Sequence, residues 1–283
     1  MRRAVVSRLV VETAAVLERV VRNPAVLSDV VRKTRSRLTA TRHQRRLVEY
    51  AGLVEAPWTG LAKVLGTPVP TIMRAVETDG FRGVLAELHA YEAPAAARRM
   101  GGGAFLEALY AIVRLTRPQV ILETGVAHGY SSAVILQGIE DNGRGRLSSI
   151  DLPMFRPGVV SYTGDAVPDR LRAAGWDLHL GSDRRVLPGL LKRIGPVDFL
   201  FYDSDTAYEA MLHTWELVWA HLRPGAVVAM NIVHANDAYL EFAERHRLPP
   251  VIIPAPKRQG AYLRARGSGE RISYLGFLRK PAA

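Results

Sequence analysis

The chain has 283 residues, 48% of them hydrophobic, and no cysteine; this leaves room for a real core and excludes a disulfide framework, a thiolate metal site and a cysteine nucleophile. The formal net charge of +11 would suggest nucleic acid, but residues 1–50 hold 12 Lys/Arg against 4 Asp/Glu, so most of the excess sits at the N-terminal end. A phosphate-gripping cleft needs its charge around the active site, and aromatics make up only 7% of the chain.

Arg2 and Arg3 precede an apolar stretch, yet Arg8, Glu12 and Glu18 break it below signal-peptide or membrane-span quality. A soluble cytoplasmic protein without a membrane span is expected. Val5, Val6, Leu9, Val10, Val16, Leu17, Val20 and Val21 recur at helical spacing and predict an amphipathic helix. Asn23-Pro24 opens a second, with Val26, Leu27, Val30 and Val31 on one face and Arg32, Lys33, Arg35 and Arg37 following. Neither helix can bury its stripe alone. The stripes must pack on each other, on the sheet domain or on a second subunit; intersubunit contacts, and with them a homo-oligomer, are expected, and a basic helix lying on anionic lipid ranks below packing or dimerisation.

From Ala51 to Pro70 the chain is broken by Pro57, Gly60, Gly66, Pro68 and Pro70, and reads as a hinge-like passage of short turns and helix. Thr71 can cap a helix through Ile72 and Val76 and, after Asp79-Gly80, Val84, Leu85 and Leu88. Gly101-Gly102-Gly103 interrupts again, and Phe105 to Leu115 is a helix leading to Pro118.

The stretch from Gln119 to Ser132, QVILETGVAHGYSS, organises the rest. Val120, Ile121 and Leu122 end in Glu123, and the chain passes Thr124, Gly125 and Gly129 into Ser131, Ser132 and a new helical pattern, so it reads as buried strand, tight turn and helix start. In an open α/β sheet that crevice holds a nucleotide-like ligand. The spacing is G-x-x-x-G with an acid two residues earlier, unlike the dinucleotide fingerprint. A carboxylate there would repel a pyrophosphate and attract an ammonium or sulfonium. At these residues the chain resembles the class I S-adenosylmethionine-dependent methyltransferases, whose first motif is an acid followed by G-x-x-x-G. The resemblance implies S-adenosylmethionine as cofactor, with Glu123 at its methionine end and Thr124, Gly125, Gly129 and Ser131 forming its loop.

Gly145 to Asp151 is a second strand ending in an acid; beside the first strand, Asp151 would face the ribose and accept from both hydroxyls, the alternative being a turn-forming Asp before Pro153. An irregular loop and a short helix from Pro168 lead to a third strand, Trp176 to Leu180. In the family resembled, the following turn meets the adenine edge, which implies Ser182 or Asp183; a helix N-cap accounts for both equally well. Val197 to Tyr202 is a fourth strand ending at Asp203-Ser204-Asp205, and Leu222-Arg223-Pro224-Gly225 turns into a fifth, Ala226 to Met230. Asp237 to His246 is a helix, and Pro250–Ile253 and Ile272–Leu278 are apolar strands joined by the basic loop Lys257–Gly269. The D-x-D after strand four and the R-P-G before strand five resemble the small-molecule O-methyltransferases of that class.

A doubly wound, seven-stranded Rossmann-like α/β domain over residues 105–283 is therefore expected. Residues 1–104 would form a helical extension serving oligomerisation or as a lid. The expected activity is methyl transfer to an oxygen of a small molecule, nitrogen ranking lower. An RNA methyltransferase gripping phosphates with its basic extension is the alternative enzyme, and a methyltransferase-like binding domain without turnover is the alternative from another class. Many relatives with the D-x-D bind Mg²⁺ through it and through an acid and an amide at the end of strand five. Here Met230 and Ile232 flank Asn231 where a carboxylate would be expected. Turnover without a divalent metal is expected, since hard cations need several oxygens. Proton removal then falls to His234 or Asp203, with His128 as a second choice for acceptor contact.

Overall fold

The computed structural model describes residues 43–94, 105–152, 162–173, 175–256 and 272–282. The two apolar stripes expected before residue 38, the glycines at 101–103 and the basic loop after Pro256 lie outside the described residues. Seven strands, β1 (Val120–Thr124), β2 (Arg146–Asp151), β3 (Trp176–Leu180), β4 (Val197–Tyr202), β5 (Leu222–Met230), β6 (Val251–Pro256) and β7 (Ile272–Arg279), form one sheet in the order β3-β2-β1-β4-β5-β7-β6. Strands β1 to β5 are parallel, and β7 runs antiparallel to both β5 and β6.

The period of two in the strands divides the core between the two faces of the sheet. Ile121, Phe199, Phe201, Val227 and Ala229 point to one face, whereas Leu122, Leu200, Tyr202, Val228 and Met230 point to the other. The first face is covered by α2 (Pro57–Leu65), α3 (Val69–Val76), α4 (Asp79–Ala90), α5 (Leu106–Thr116) and α6 (Tyr130–Asn142). The second carries α8 (Asp183–Ile194), α9 (Tyr208–Trp219) and α10 (Ala238–Arg245), together with Tyr50 of α1 (Leu47–Leu53). A short α7 (Asp169–Arg172) precedes β3. Among the described residues no helix is long and apolar enough to cross a membrane.

The passage expected to be hinge-like is instead built onto the sheet. Pro57 and Pro70 stand in the first turns of α2 and α3, where the missing N–H would have no helical partner anyway. Val54 makes a parallel bridge with Ile252, and a Cβ on Gly60 would lie 2.5 Å from the Ile253 side chain. Thr71 lies inside α3, which starts after Pro68; the capping threonine is Thr78, whose Oγ1 accepts from Phe81 N at 3.1 Å to open α4. The R-P-G stretch also falls within β5, where the register against β4 shifts between Val197 and Phe199.

At the other end of the sheet a tyrosine joins helix to strands. Tyr239 of α10 donates to either Val251 O or Phe277 O, both 3.0 Å away, and accepts from Val251 N. Gly276 makes this fit possible, because a Cβ there would lie 2.6 Å from the Tyr239 ring. The reversed β7 is thus locked between β5 and β6, and the C-terminal ends of β1 to β5 are left to form one rim.

Candidate functional site

The strand order reverses between β1 and β4, so the loops leaving their carboxyl ends diverge and open a crevice. Each strand hands its hydrogen-bond ladder to the first residue of its loop. Gly125 N donates to Ile150 O at 2.8 Å, Asp203 N to Thr124 O at 2.7 Å, Gly181 N to Asp151 O at 2.8 Å and Asn231 N to Tyr202 O at 2.8 Å. The functional side chains therefore start from rigid positions.

The glycine loop bends because two of its residues occupy the left-handed region, Gly125 at φ 86° and Gly129 at φ 89°. Ala127 joins them at φ 50°. A Cβ on Gly125 would lie 2.1 Å from the Asp203 carbonyl oxygen, and one on Gly129 would lie 2.5 Å from Val167. The sequence suggests that these glycines let a ligand approach the backbone. In the structure they first admit the end of β4 and the turn at residues 162–167.

Glu123 is placed differently from the sequence expectation. It is 0% exposed, and its oxygens accept from Ser131 Oγ and Ser132 Oγ at 2.6 Å and from Ser149 Oγ at 2.7 Å. Burial pushes its carboxyl above the ordinary value of 4.5, and the serine hydroxyls pull it back. Ser149 Oγ in turn accepts from Trp176 Nε1 at 2.9 Å. Glu123 thus pins the first turn of α6 to β1, β2 and β3 from beneath the loop. Ser131, expected at the ligand, is its partner.

Asp151 ends β2 facing the loop, with Val126 N at 3.5 Å from its Oδ1. Burial raises its carboxyl above the ordinary 3.8, against the pull of the Val126 amide, the Thr163 hydroxyl and the Ala127 and Leu152 amides. Two buried hydroxyls stand at the same rim, Thr124 Oγ1 at the end of β1 and Ser182 Oγ after β3, and neither finds a protein partner among the described residues. Ser182 is the N-cap residue of α8 but makes no side-chain cap. Asp183 accepts from Ser204 Oγ at 2.6 Å and so steadies the loop after β4.

On the other side of β1, Asn231 Nδ2 donates to Asp203 Oδ1 at 2.9 Å, while its amide oxygen accepts from Ile232 N at 3.0 Å. Ile232 has φ 56°, a conformation that a β-branched residue adopts only under constraint. His234 follows on a 3-10 turn (Val233–Ala235), its ring edge-on to Tyr274 of β7 at 5.1 Å. Asp203 and Asn231 are therefore brought together, and His234 is held by a different neighbour. His128 is not on the acceptor rim: it is 3% exposed, with Nδ1 2.9 Å from Asp165 Oδ1 and 3.0 Å from the Tyr91 hydroxyl. Sequence reasoning missed Tyr91, Ser149 and Asp165, because no local pattern links positions 37 and 74 residues apart.

The sheet order, the reversed β7 and an acid-led glycine loop at the switch point define the class I methyltransferase fold. Comparisons with known proteins agree. A family model described as a methyltransferase domain matches residues 122–231, from β1 through the end of β5. Residues 122–231 thus match a methyltransferase domain, set in a sheet with the class I methyltransferase fold. Among solved structures, cofactor-bound Rv0187 from MTB is 18% identical over 73% of this chain and 92% of its own, with a TM-score of 0.52. SAH-bound PaMTH1, a Podospora anserina methyltransferase, is 13% identical over 72% and 88%, with a TM-score of 0.50. An O-methyltransferase from Bacillus cereus in complex with SAH is 15% identical over 78% and 96%, with a TM-score of 0.47. No curated protein matches the chain.

Proposed function

We propose that this enzyme moves the methyl group of S-adenosylmethionine to an oxygen, or second to a nitrogen, of a small molecule. The observation that carries the reading is Asp203, whose main chain packs against Gly125 of the cofactor loop and whose carboxylate is oriented by Asn231 at the end of β5. The cofactor supplies an electrophilic methyl carbon on a sulfonium. The protein's work is then to align the acceptor in line, exclude water and take a proton.

Asp151 is suited to accept from both ribose hydroxyls, and the orphaned hydroxyls of Thr124 and Ser182 are donors that a bound adenosyl group could satisfy. Gly125 and Gly129 shape the loop, and Glu123 with Ser131 sets it from below. Asp183 serves the same site indirectly through Ser204. His234, on the β5 side, takes the acceptor's proton while Asp203 orients the acceptor; Asp203 is the alternative base.

The reading is metal-independent. Asn231 spends its oxygen on Ile232 N and turns its amide nitrogen to Asp203, so this pair offers a hard cation few oxygens. An acceptor found by screening metabolites with labelled methyl donor should turn over unchanged in excess EDTA, and His234→Ala should slow it by about 100-fold or more. Loss of turnover in EDTA that Mg²⁺ restores would overturn the metal-free reading. A fully active His234→Ala would remove that base.

Residues 1–50 are proposed to join subunits, because their apolar stripes exceed what one chain leaves exposed. Light scattering should show the full chain as a dimer or larger and a chain begun at His43 as a smaller species. A monomer at full length would remove the idea.

A further inference from the structure

Two stretches far apart in sequence meet at one side chain of the glycine loop. Tyr91 closes the C-terminal end of α4, Asp165 lies in the turn at 162–167, and His128 sits between Ala127 and Gly129. The Tyr91 hydroxyl is 2.5 Å from Asp165 Oδ2 and 3.0 Å from His128 Nδ1, which itself is 2.9 Å from Asp165 Oδ1.

The chemistry of the three groups sets the direction of each bond. Burial first, and then the bond to Asp165, pushes the Tyr91 phenol well above its ordinary value of 10, so it stays protonated and gives its one proton to Asp165. An ionised carboxylate only accepts. His128 Nδ1 must therefore be the donor to Oδ1, and the network holds the imidazole with its proton on Nδ1.

The backbone follows the same contact. Gly164 N donates to Ala127 O at 2.8 Å and Ala166 N to His128 O at 3.0 Å. The turn is held from its far side by Arg172, which donates to Gly164 O at 2.6 Å and Val167 O at 3.1 Å. Trp176 also backs it, since a Cβ on Gly164 would lie 2.4 Å from the indole. Tyr91 in turn meets Tyr130, the first residue of α6, edge-on at 6.2 Å. Ala127, next to His128, has a left-handed backbone that an L-residue keeps only when its surroundings impose it.

We propose that His128 is a positioning residue of the methyltransferase: Asp165 and Tyr91 fix its ring, and the ring fixes residues 126–129 in the conformation that receives S-adenosylmethionine. This rests on the reading of 125–129 as the cofactor loop. The role differs from acceptor contact, because the ring is buried under the turn. It also makes α4, which lies outside the segment matched by the methyltransferase family, part of the cofactor site.

The test is calorimetric titration of the full chain with S-adenosylhomocysteine, with melting temperature and amide exchange at 125–130 measured beside it. His128→Ala and Asp165→Asn should each weaken binding about tenfold or more, as the loss of a bond to a charged group does. Tyr91→Phe, which removes one oxygen and keeps the ring contacts, should weaken it about three- to tenfold. His128→Asn carries an N–H close to the place of Nδ1 and should return affinity to within about threefold of wild type. Loop exchange should quicken in His128→Ala and recover in His128→Asn. Binding by His128→Ala that equals wild type, or binding by His128→Asn as weak as by His128→Ala, would overturn the proposal. If His128→Ala does not fold, Tyr91→Phe decides: affinity equal to wild type overturns it. A wild-type chain that does not bind the ligand would instead overturn the reading of the loop itself.

Discussion

Gly125→Ala should destabilise the protein by about 2–5 kcal/mol. The left-handed backbone alone costs an L-residue about 1–2 kcal/mol, and here the new methyl would also meet the Asp203 carbonyl oxygen at 2.1 Å. That oxygen cannot retreat cheaply. Asp203 N is bonded to Thr124 O and its carboxylate to Asn231, so any shift breaks the seam between β1, β4 and β5. Overpacking of a rigid interior adds about 1–3 kcal/mol. Gly143, the C-cap of α6 at φ 65°, is the control: nothing lies within 4 Å of a Cβ there, so its alanine variant should lose only the backbone cost. Urea midpoints of the two variants at unchanged m-value separate the effects. Equal shifts would mean that the approach of β4 is not what requires glycine at 125.

Asp151→Ala should weaken S-adenosylhomocysteine by about 10- to 150-fold, or about 1.5–3 kcal/mol for hydrogen bonds to a charged group. Burial raises the Asp151 carboxyl above 3.8, and this gives the effect a pH signature. As pH falls through the raised value the carboxylate takes a proton and loses its capacity to accept from two hydroxyls, so wild-type affinity should decline toward acid while that of the alanine variant stays flat. Apo stability responds with the opposite sign. A carboxyl that binds its proton more tightly when folded makes the fold more stable as pH falls from the raised value toward 3.8, and that contribution is lost as pH rises again. Titrations at several pH values check both halves. An alanine variant with wild-type affinity at neutral pH would remove the ribose assignment.

The comparison of Asp151 with Glu123 shows what the chain's pattern could reveal. Both are acids at the ends of parallel strands, and both are legible as such from apolar runs that stop at a charge. Only the fold distinguishes them. Glu123 meets three serine hydroxyls, two from the first turn of α6 and one from the neighbouring strand, and is closed off; Asp151 has mainly loop amides before it. Asp183 is a similar case, since its partner Ser204 comes from the loop after β4 and no local signal announces it. The prolines at 57 and 70 misled in the other direction. Their chemistry suits a break and a helix start equally, and packing against β6 and α5 decided for the helix.

What the amino-acid sequence determined by itself is the set of local elements: five strands that end at a rim, a glycine loop between the first of them and a helix, and an acid after strands one, two and four. These follow from side-chain period and from backbone angles that glycine alone adopts freely, and both are properties of a few adjacent residues. Tertiary structure decided which acids are closed off and which stay at the rim, why Gly125 and Gly129 are needed, and that a histidine in the loop is held by a tyrosine and an aspartate distant in the chain. Those outcomes depend on which backbone lies across the sheet at distances of 2–3 Å. Such proximity is set by the order of the strands and the packing of the helices over them, and a single side chain carries no record of it.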